Sequence, residues 1–323
     1  MTGIILIQLG TPDSPTYGGL FPYLRQFLSD RRVIEVPKPI WVPLLYGYIL
    51  PFRSGASAAK YRRIWDAKTG SPLLHYTRQQ TELLQQHFPD RPVRFGMMIG
   101  NPPLADTIQS MIAEGVTKLI ALPLFPQYSA TTFASATDCL FKALMKERRV
   151  PAIRVAAPYY EHPAYLDALT AIVREHLDRV QPEHLVISFH GIPKKYAQRG
   201  DPYATHVVKT TRALVERLGL KRSFWTQTYQ SRFGKSPWLK PYTDDVLEQL
   251  AKRGVKKVSV ALPGFTSDCL ETVDEIGRES AEVFHHAGGD QLLAIPCLNE
   301  HPKWIEAMAA IVRDEGQGWL NSK

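Results

Sequence analysis

Four short, continuous apolar runs punctuate the chain, at residues 4–9, 118–122, 185–189 and 258–262. Runs of this length without polar alternation suit strands buried on both faces of a parallel sheet. Between them apolar residues recur with helical period, at residues 77–87, 104–114, 163–177 and 243–253. Gly115 and Gly254 stand where a helix C-terminal cap glycine belongs. This alternation predicts an α/β fold with two open, doubly wound parallel sheets. Ligands of such sheets bind beyond the carboxyl ends of the strands, so the loops at residues 10–15, 123–132, 190–196 and 263–271 are the candidate site loops.

The chain also repeats itself once. IILIQLGTP at residues 4–12 matches HLVISFHGIP at 184–193, and GVTKLIALPLF at 115–125 matches GVKKVSVALPGF at 254–265. APYYEHPAYLDALTAIV at 157–173 matches IPCLNEHPKWIEAMAAIV at 295–312. Three matches in the same order, about 140 to 180 residues apart, indicate two related halves. We divide them at residues 1–155 and 156–323, with a terminal helix able to return to the first half.

The longest apolar stretch, IWVPLLYGYILPF at residues 40–52, is too short to span a bilayer and holds Pro43 and Pro51. It reads either as a buried turn and short helix or as an exposed apolar lip touching a membrane or covering a flat, greasy ligand. The N-terminus lacks a charged region and a cleavage site ahead of its apolar run, so it reads as a first strand and not a signal peptide.

The 323 residues are 44% hydrophobic and 22% charged, with a net charge of +8. The basic balance favours an anionic partner, but the basic residues are scattered and no nucleic-acid motif is present, so nucleic acid ranks last. Cys139, Cys269 and Cys297 have no paired spacing, which argues against a disulfide framework, a C-x-x-C zinc site and a four-cysteine iron–sulfur cluster, and fits a reducing cytoplasm. No G-x-G-x-x-G follows a strand, and Gly234-Lys235-Ser236 lacks the earlier glycine of a P-loop, where Tyr229 stands. The pair His285-His286 reads as surface.

His190 closes the apolar run of SFHGIP, where a doubly wound sheet presents side chains to its ligand. In the matching place after the fourth run, FTSDCLETVDEIGRE opens a helix capped by Ser267 or Asp268. Glu271, Glu275 and Glu279 step by four along one face of it, an arrangement that repels itself unless water, cations or protons intervene. An imidazole facing a carboxylate can hold a divalent ion such as iron, or move protons near neutral pH.

At these residues the chain resembles the ferrochelatase family. The motifs that carry the resemblance are LGTP (9–12), FLSD (27–30), YRRIW (61–65), GSPL (70–73), LPLFPQYSATT (122–132), SFHGIP (188–193), TYQSRFG (228–234), PWLKP (237–241) and LPGFTSDCLET (262–272). The resemblance implies two similar Rossmann-like, chelatase-type halves, each with a doubly wound parallel four-stranded sheet, and a porphyrin cleft between them. It implies that His190 and Glu271 form the metal-inserting pair, with Glu275 and Glu279 as the acidic row leading from it. Arg53 and Ser71 match positions that meet a porphyrin propionate, Tyr128 and Trp238 match positions lining the cleft, and the apolar lip falls on residues 40–52.

The activity so implied is that of a lyase placing ferrous iron into protoporphyrin IX to give protoheme, the terminal step of heme biosynthesis. Iron and porphyrin are substrates, and no permanently bound cofactor or iron–sulfur cluster is expected. A monomeric, cytoplasmic protein in peripheral contact with the inner membrane is the expected state. Two departures from the family pattern stand out. Cys269 replaces a histidine common in the acidic motif, as in a proteobacterial branch, and Met98-Ile99 replaces an arginine–tyrosine pair. With Asp13 after LGTP in place of tyrosine, the cysteine leans the porphyrin choice towards protoporphyrin IX over coproporphyrin III. The alternatives are a chelatase for cobalt or nickel, which lacks the QYS and TYQSRFG segments, and a non-catalytic porphyrin or heme carrier.

Overall fold

In the computed structural model the apolar runs become the inner strands of two sheets, and the structure describes residues 1–234 and 236–320. Lys235 of the Gly-Lys-Ser triplet and the last three residues of the second half lie outside that range. The strands are β1 (Thr2–Thr11), β2 (Val93–Gly100), β3 (Lys118–Pro123), β4 (Ala152–Val155), β5 (His184–His190), β6 (Trp225–Gln230), β7 (Lys257–Ala261) and β8 (Gln291–Ala294). One sheet runs β2-β1-β3-β4 and the other β6-β5-β7-β8, with every pairing parallel. The two orders are the same, so the duplication read from sequence is a duplication of topology. Each sheet lies in its own compact unit. Unit 1 comprises residues 1–125, 129–158 and 308–323, and unit 2 comprises residues 126–128 and 159–307.

The central strands are apolar without alternation because helices cover both of their faces. Ile4, Ile5, Leu6 and Ile7 of β1, and Leu185, Val186, Ile187 and Phe189 of β5, are fully buried. In unit 2, Val186, Val258 and Val260 pack with Leu247 and Leu250 from one helix and with Ile276 and Phe284 from the segment after β7.

The repeat extends to the helix ends. The helix Leu104–Ala113 stops at Gly115, whose amide donates to Ile112 O while that of Val116 donates to Met111 O. The helix Thr243–Lys252 stops at Gly254 in the same way, with Gly254 N donating to Ala251 O and Val255 N to Leu250 O. Both are Schellman caps, and φ is +95° at Gly115 and +91° at Gly254, a region that penalises any side chain. The starts repeat as well. His162 Nδ1 accepts from Ala164 N at 3.3 Å ahead of the helix Pro163–Val180, and His301 Nδ1 accepts from Lys303 N at 3.3 Å ahead of the helix Pro302–Glu315. In each case proline at the first helical position surrenders an amide that had no partner to lose.

Residues 40–52 form neither a simple turn nor a fully buried helix. They run through a helix (Lys38–Leu44), a π-helical turn (Leu45–Ile49) and the start of a longer helix (Leu50–Ile64). Leu45, Ile49 and Leu50 pack with Leu28, whereas Ile40, Tyr48 and Phe52 are 64%, 61% and 67% exposed. Among the described residues no helix is long and apolar enough to cross a membrane.

A substitution at the cap isolates the cost of its backbone conformation, because nothing lies within 4 Å of a Cβ built on Gly254. Gly254→Ala is expected to cost about 1–2 kcal/mol through left-handed strain alone. Hydrogen exchange should show it as roughly tenfold faster exchange at the Val255 amide if the strain is released by local opening.

Candidate functional site

In unit 2 the site starts from the register of β5 on β6, which sets His190 opposite Gln230. His190 is half-buried, and its Nδ1 lies 2.7 Å from the Gly191 carbonyl oxygen. A carbonyl only accepts, so Nδ1 carries the hydrogen and the lone pair of the neutral ring sits on Nε2. The ring of Trp238 lies beside it, centroid to centroid 6.4 Å at 50°. Trp238 gets that close because residue 191 is glycine: a Cβ there would stand 3.1 Å from Trp238 Cε3. Antiparallel contacts lock the two segments together, Leu239 N donating to Ile192 O and Lys194 N to Pro237 O.

Glu271 opens the segment Glu271–Ser280, which is a ten-residue π-helix. π-Helical geometry is rare and usually confined to single turns at functional sites. A step of four is close to one turn in either helix type, so Glu271, Glu275 and Glu279 share a face here too. All three are half-buried. Their surroundings differ. Glu275 accepts from the Ser231 hydroxyl at 2.5 Å, whereas Glu279 is paired with Arg278 at 2.9 Å. Arg278 also binds Asp274, only 1% exposed, and Glu282, so a single guanidinium is shared among three carboxylates at the far end of the row.

Gln230 links the two candidate groups. Its backbone carbonyl accepts from Gly191 N at 2.9 Å, and its side-chain amide donates to the Glu271 carbonyl at 3.0 Å. Cys269 is fully buried behind Glu271. Burial first, and then the Glu271 carboxylate beside it, pushes the Cys269 thiol well above its ordinary range. Burial and Asp268 do the same to Cys297. All three cysteines are unpaired, and among the described residues no group of three or more His, Cys, Asp or Glu gathers to hold a metal.

Tyr128 belongs to unit 2 through residues 126–128. Its amide donates to His206 Nδ1 at 3.1 Å, and His206 stacks on Tyr160 with 3.7 Å between centroids. Its neighbour Gln127 is buried against Thr210, at 3.1 Å.

Unit 1 holds a cavity of about 1070 Å³. Its lining mixes apolar Pro12, Tyr23, Met98 and Ile99 with both signs of charge, Arg25, Arg31, Arg32, Lys38 and Lys142 standing among Asp13, Asp30, Glu35 and Asp138. Among the described residues Arg25, Arg31, Lys38 and Lys142 take part in no ion pair, whereas Arg32 makes a bidentate pair with Asp138 at 2.8 and 3.0 Å. Arg53 and Ser71 do not line the cavity. Arg53 is exposed on the helix Leu50–Ile64, and Ser71 is buried at the head of the helix Pro72–His87, accepting from the Thr11 hydroxyl at 2.8 Å.

Comparison with known proteins decides the family. The chain matches the family described as Ferrochelatase over residues 1–316. It is 48% identical over 324 aligned residues to the ferrochelatase of Mesorhizobium japonicum, covering 98% of this chain and 92% of that one. The ferrochelatase of Brucella anthropi is 46% identical, with 98% and 93% covered. The chain belongs to the ferrochelatase family. Solved structures share its fold at much lower identity. SirB from Bacillus subtilis with Fe3+ superposes with a TM-score of 0.56 at 13% identity, covering 99% of this chain and 98% of that one. CbiX, the terminal enzyme for biosynthesis of siroheme in denitrifying bacteria, gives 0.53 at 12% identity, with 97% and 98% covered.

For this ferrochelatase-family chain, sequence reasoning named His190, Glu271 and Trp238, and contacts within unit 2 gather them around Gln230 and Gly191. It missed Gln230 itself, although the residue stands inside the quoted TYQSRFG motif. It also passed over the charged lining of the unit 1 cavity, because residues such as Arg25, Arg31, Lys38 and Lys142 are dispersed along the chain and meet only in the fold.

Three histidines of unit 2 are tuned to stay neutral. Burial is the main cause of the lowered pKa of His176, His184 and His206, aided by Arg179 and Lys257 at His176, Arg222 at His184 and Lys209 at His206. A depressed folded-state pKa means that the unfolded chain binds more protons just below pH 6.5. Stability from these groups is therefore present above that pH and is lost as pH falls towards the folded values. A thermal-melt series should show the midpoint dropping below about pH 6.5, by less in His176→Gln and His184→Gln variants.

Proposed function

We propose that His190 and Glu271 carry out metal insertion in this chain, His190 accepting pyrrole protons at Nε2 and Glu271 passing them outward towards Glu275. The chain is a lyase that places ferrous iron into a porphyrin to make heme, the activity its family membership carries. A free-base porphyrin has two N–H protons that must leave as the metal enters. In water the planar ring points its lone pairs inward and its hydrogens block the centre. Binding energy gathered at the periphery can hold the ring bent and bare its nitrogens on one face. The observation that carries the assignment is the Gln230 bridge, which ties the strand ending in His190 to the helix beginning with Glu271. The lone pair directed to Nε2 supports a base at His190. The ion pair of Glu279 with Arg278 supports a proton path that needs only Glu271 and Glu275, with Glu279 fixing the end of the row.

In unit 2, Trp238 and Tyr128 supply flat surfaces for the ring. In unit 1, Arg53 offers a guanidinium to a propionate, and Ser71 heads a helix whose free N–H groups favour an anion. Protoporphyrin IX is the substrate this reading takes first. Coproporphyrin III is the alternative, its extra carboxylates suiting the slight excess of cations over carboxylates, five to four, along the unit 1 cavity. The exposed Ile40, Tyr48 and Phe52 suit peripheral membrane contact by a cytoplasmic, monomeric protein.

His190→Ala and Glu271→Gln are each expected to cut insertion about tenfold or more while porphyrin binding stays detectable. The assay is anaerobic: ferrous iron is added to purified protein with each porphyrin in turn, and the absorption change on metallation is followed. Near-normal turnover in both variants would refute the assignment, and the faster porphyrin identifies the substrate. For the lip, an Ile40→Ser, Phe52→Ser double variant should lose most of its co-sedimentation with phospholipid vesicles. Unchanged sedimentation would remove the membrane role from residues 40–52.

A further inference from the structure

Glu271 holds its place through a hydrogen-bond chain whose direction follows from chemistry alone. The Glu271 carbonyl can only accept, so the Gln230 amide must turn its NH2 towards it, at 3.0 Å. That leaves Gln230 Oε1 for the Ser188 hydroxyl, which donates at 2.8 Å. Ser188 has then spent its one hydrogen, so Thr243, 2.8 Å away, must donate to it. Thr243 has spent its own in turn, so Thr228, at 2.9 Å, donates to Thr243. The chain therefore runs one way, from Thr228 through Thr243, Ser188 and Gln230 to the Glu271 carbonyl. Ser188 and Thr228 are fully buried, Thr243 is 1% exposed and Gln230 6%. Away from water, aligned bonds of this kind polarise one another, and leaving any member unpaired is costly.

The chain also joins the elements that matter. Ser188 is two residues before His190 on β5, Thr228 and Gln230 lie on β6, Thr243 begins a helix and Glu271 begins the π-helix. We propose that Gln230, oriented by Ser188, is a positioning residue for the reaction: it fixes the first turn of the π-helix, and with it the Glu271 carboxylate, at a set distance from the His190 imidazole. The inference rests on the reading of Glu271 as part of the inserting pair. Gln230 touches no reacting atom and acts only through the residue whose carbonyl it holds.

The test is a double-mutant cycle on the full chain with ferrous iron and protoporphyrin IX. Gln230→Met keeps the side-chain length and removes both hydrogen bonds. It should lower kcat about tenfold while KM for the porphyrin, and the affinity measured by fluorescence titration, stay within about twofold. In a Glu271→Gln background the same substitution should have little further effect, because the group it positions is already gone. A loss of kcat that multiplies in both backgrounds, or a parallel loss of porphyrin affinity, would show a merely structural role and overturn the proposal. Where Gln230→Met does not fold, Ser188→Ala, which frees the amide to rotate, should reproduce the kcat loss to about threefold, and a Ser188→Ala enzyme as fast as the parent overturns the proposal. If the parent chain forms no heme at all, the reading of function has failed. A parent that turns over, with Gln230→Met equal to it, fails the positioning alone.

Discussion

Parallel pairing of β5 with β6 sets His190 opposite Gln230, and the rest of the unit 2 site is measured from that register. A slip of one residue along β6 would break that pairing and carry His190 away from Gln230. The register is strongly held because both faces of β5 are covered, Ile187 and Phe189 fully enclosed on one and Val186 on the other. The hydrophobic effect thus does the aiming. A packing requirement that concerns only apolar side chains decides where an imidazole and a buried amide come to stand. From there the polar contacts are short-range consequences: Gly191 admits Trp238, Gln230 meets the Glu271 carbonyl, and Ser231, the next residue, reaches Glu275.

The duplicated scaffold shows how one fold supports two chemistries. Where β5 ends in His190-Gly191, the matched residues of β1 are Leu9-Gly10. Glycine is kept in both, and the residue before it differs in kind. Unit 1 has put its polar groups elsewhere, as a mixed set of cations and carboxylates around a cavity walled by Met98 and Ile99. Unit 2 ends the matching strand in a histidine and follows β7 with a helix that carries a row of acidic residues. The caps, strand order and helix-starting histidines are shared, because they serve only the folding of a four-stranded doubly wound layer.

This division explains what could be read from the chain before its structure. Strands buried on both faces write themselves as unbroken apolar runs, and Schellman glycines mark helix ends locally, so the fold was legible in detail. His190 stood out as a candidate because it closes a strand, and Glu271 because it starts a row of carboxylates on the helical segment after β7. The π-helical form of residues 271–280 was not, since carboxylates four apart satisfy both helix types. The pairing of Glu279 with Arg278 was missed for a related reason: adjacent residues in sequence do not announce which way their side chains bend. Residues 40–52 hid a division of labour, with Leu45 and Leu50 turned inward and Ile40 and Phe52 outward, because an all-apolar run has no polar residue to show its face.

The thiols behind Glu271 have a consequence for the cargo. Thiolate sulfur is a strong ligand for first-row metals and would compete with any site built to pass iron onward. Cys269 and Cys297 stay protonated because burial and neighbouring negative charge oppose their ionisation. Burial thereby withholds two sulfur donors of unit 2 from any metal that reaches the protein.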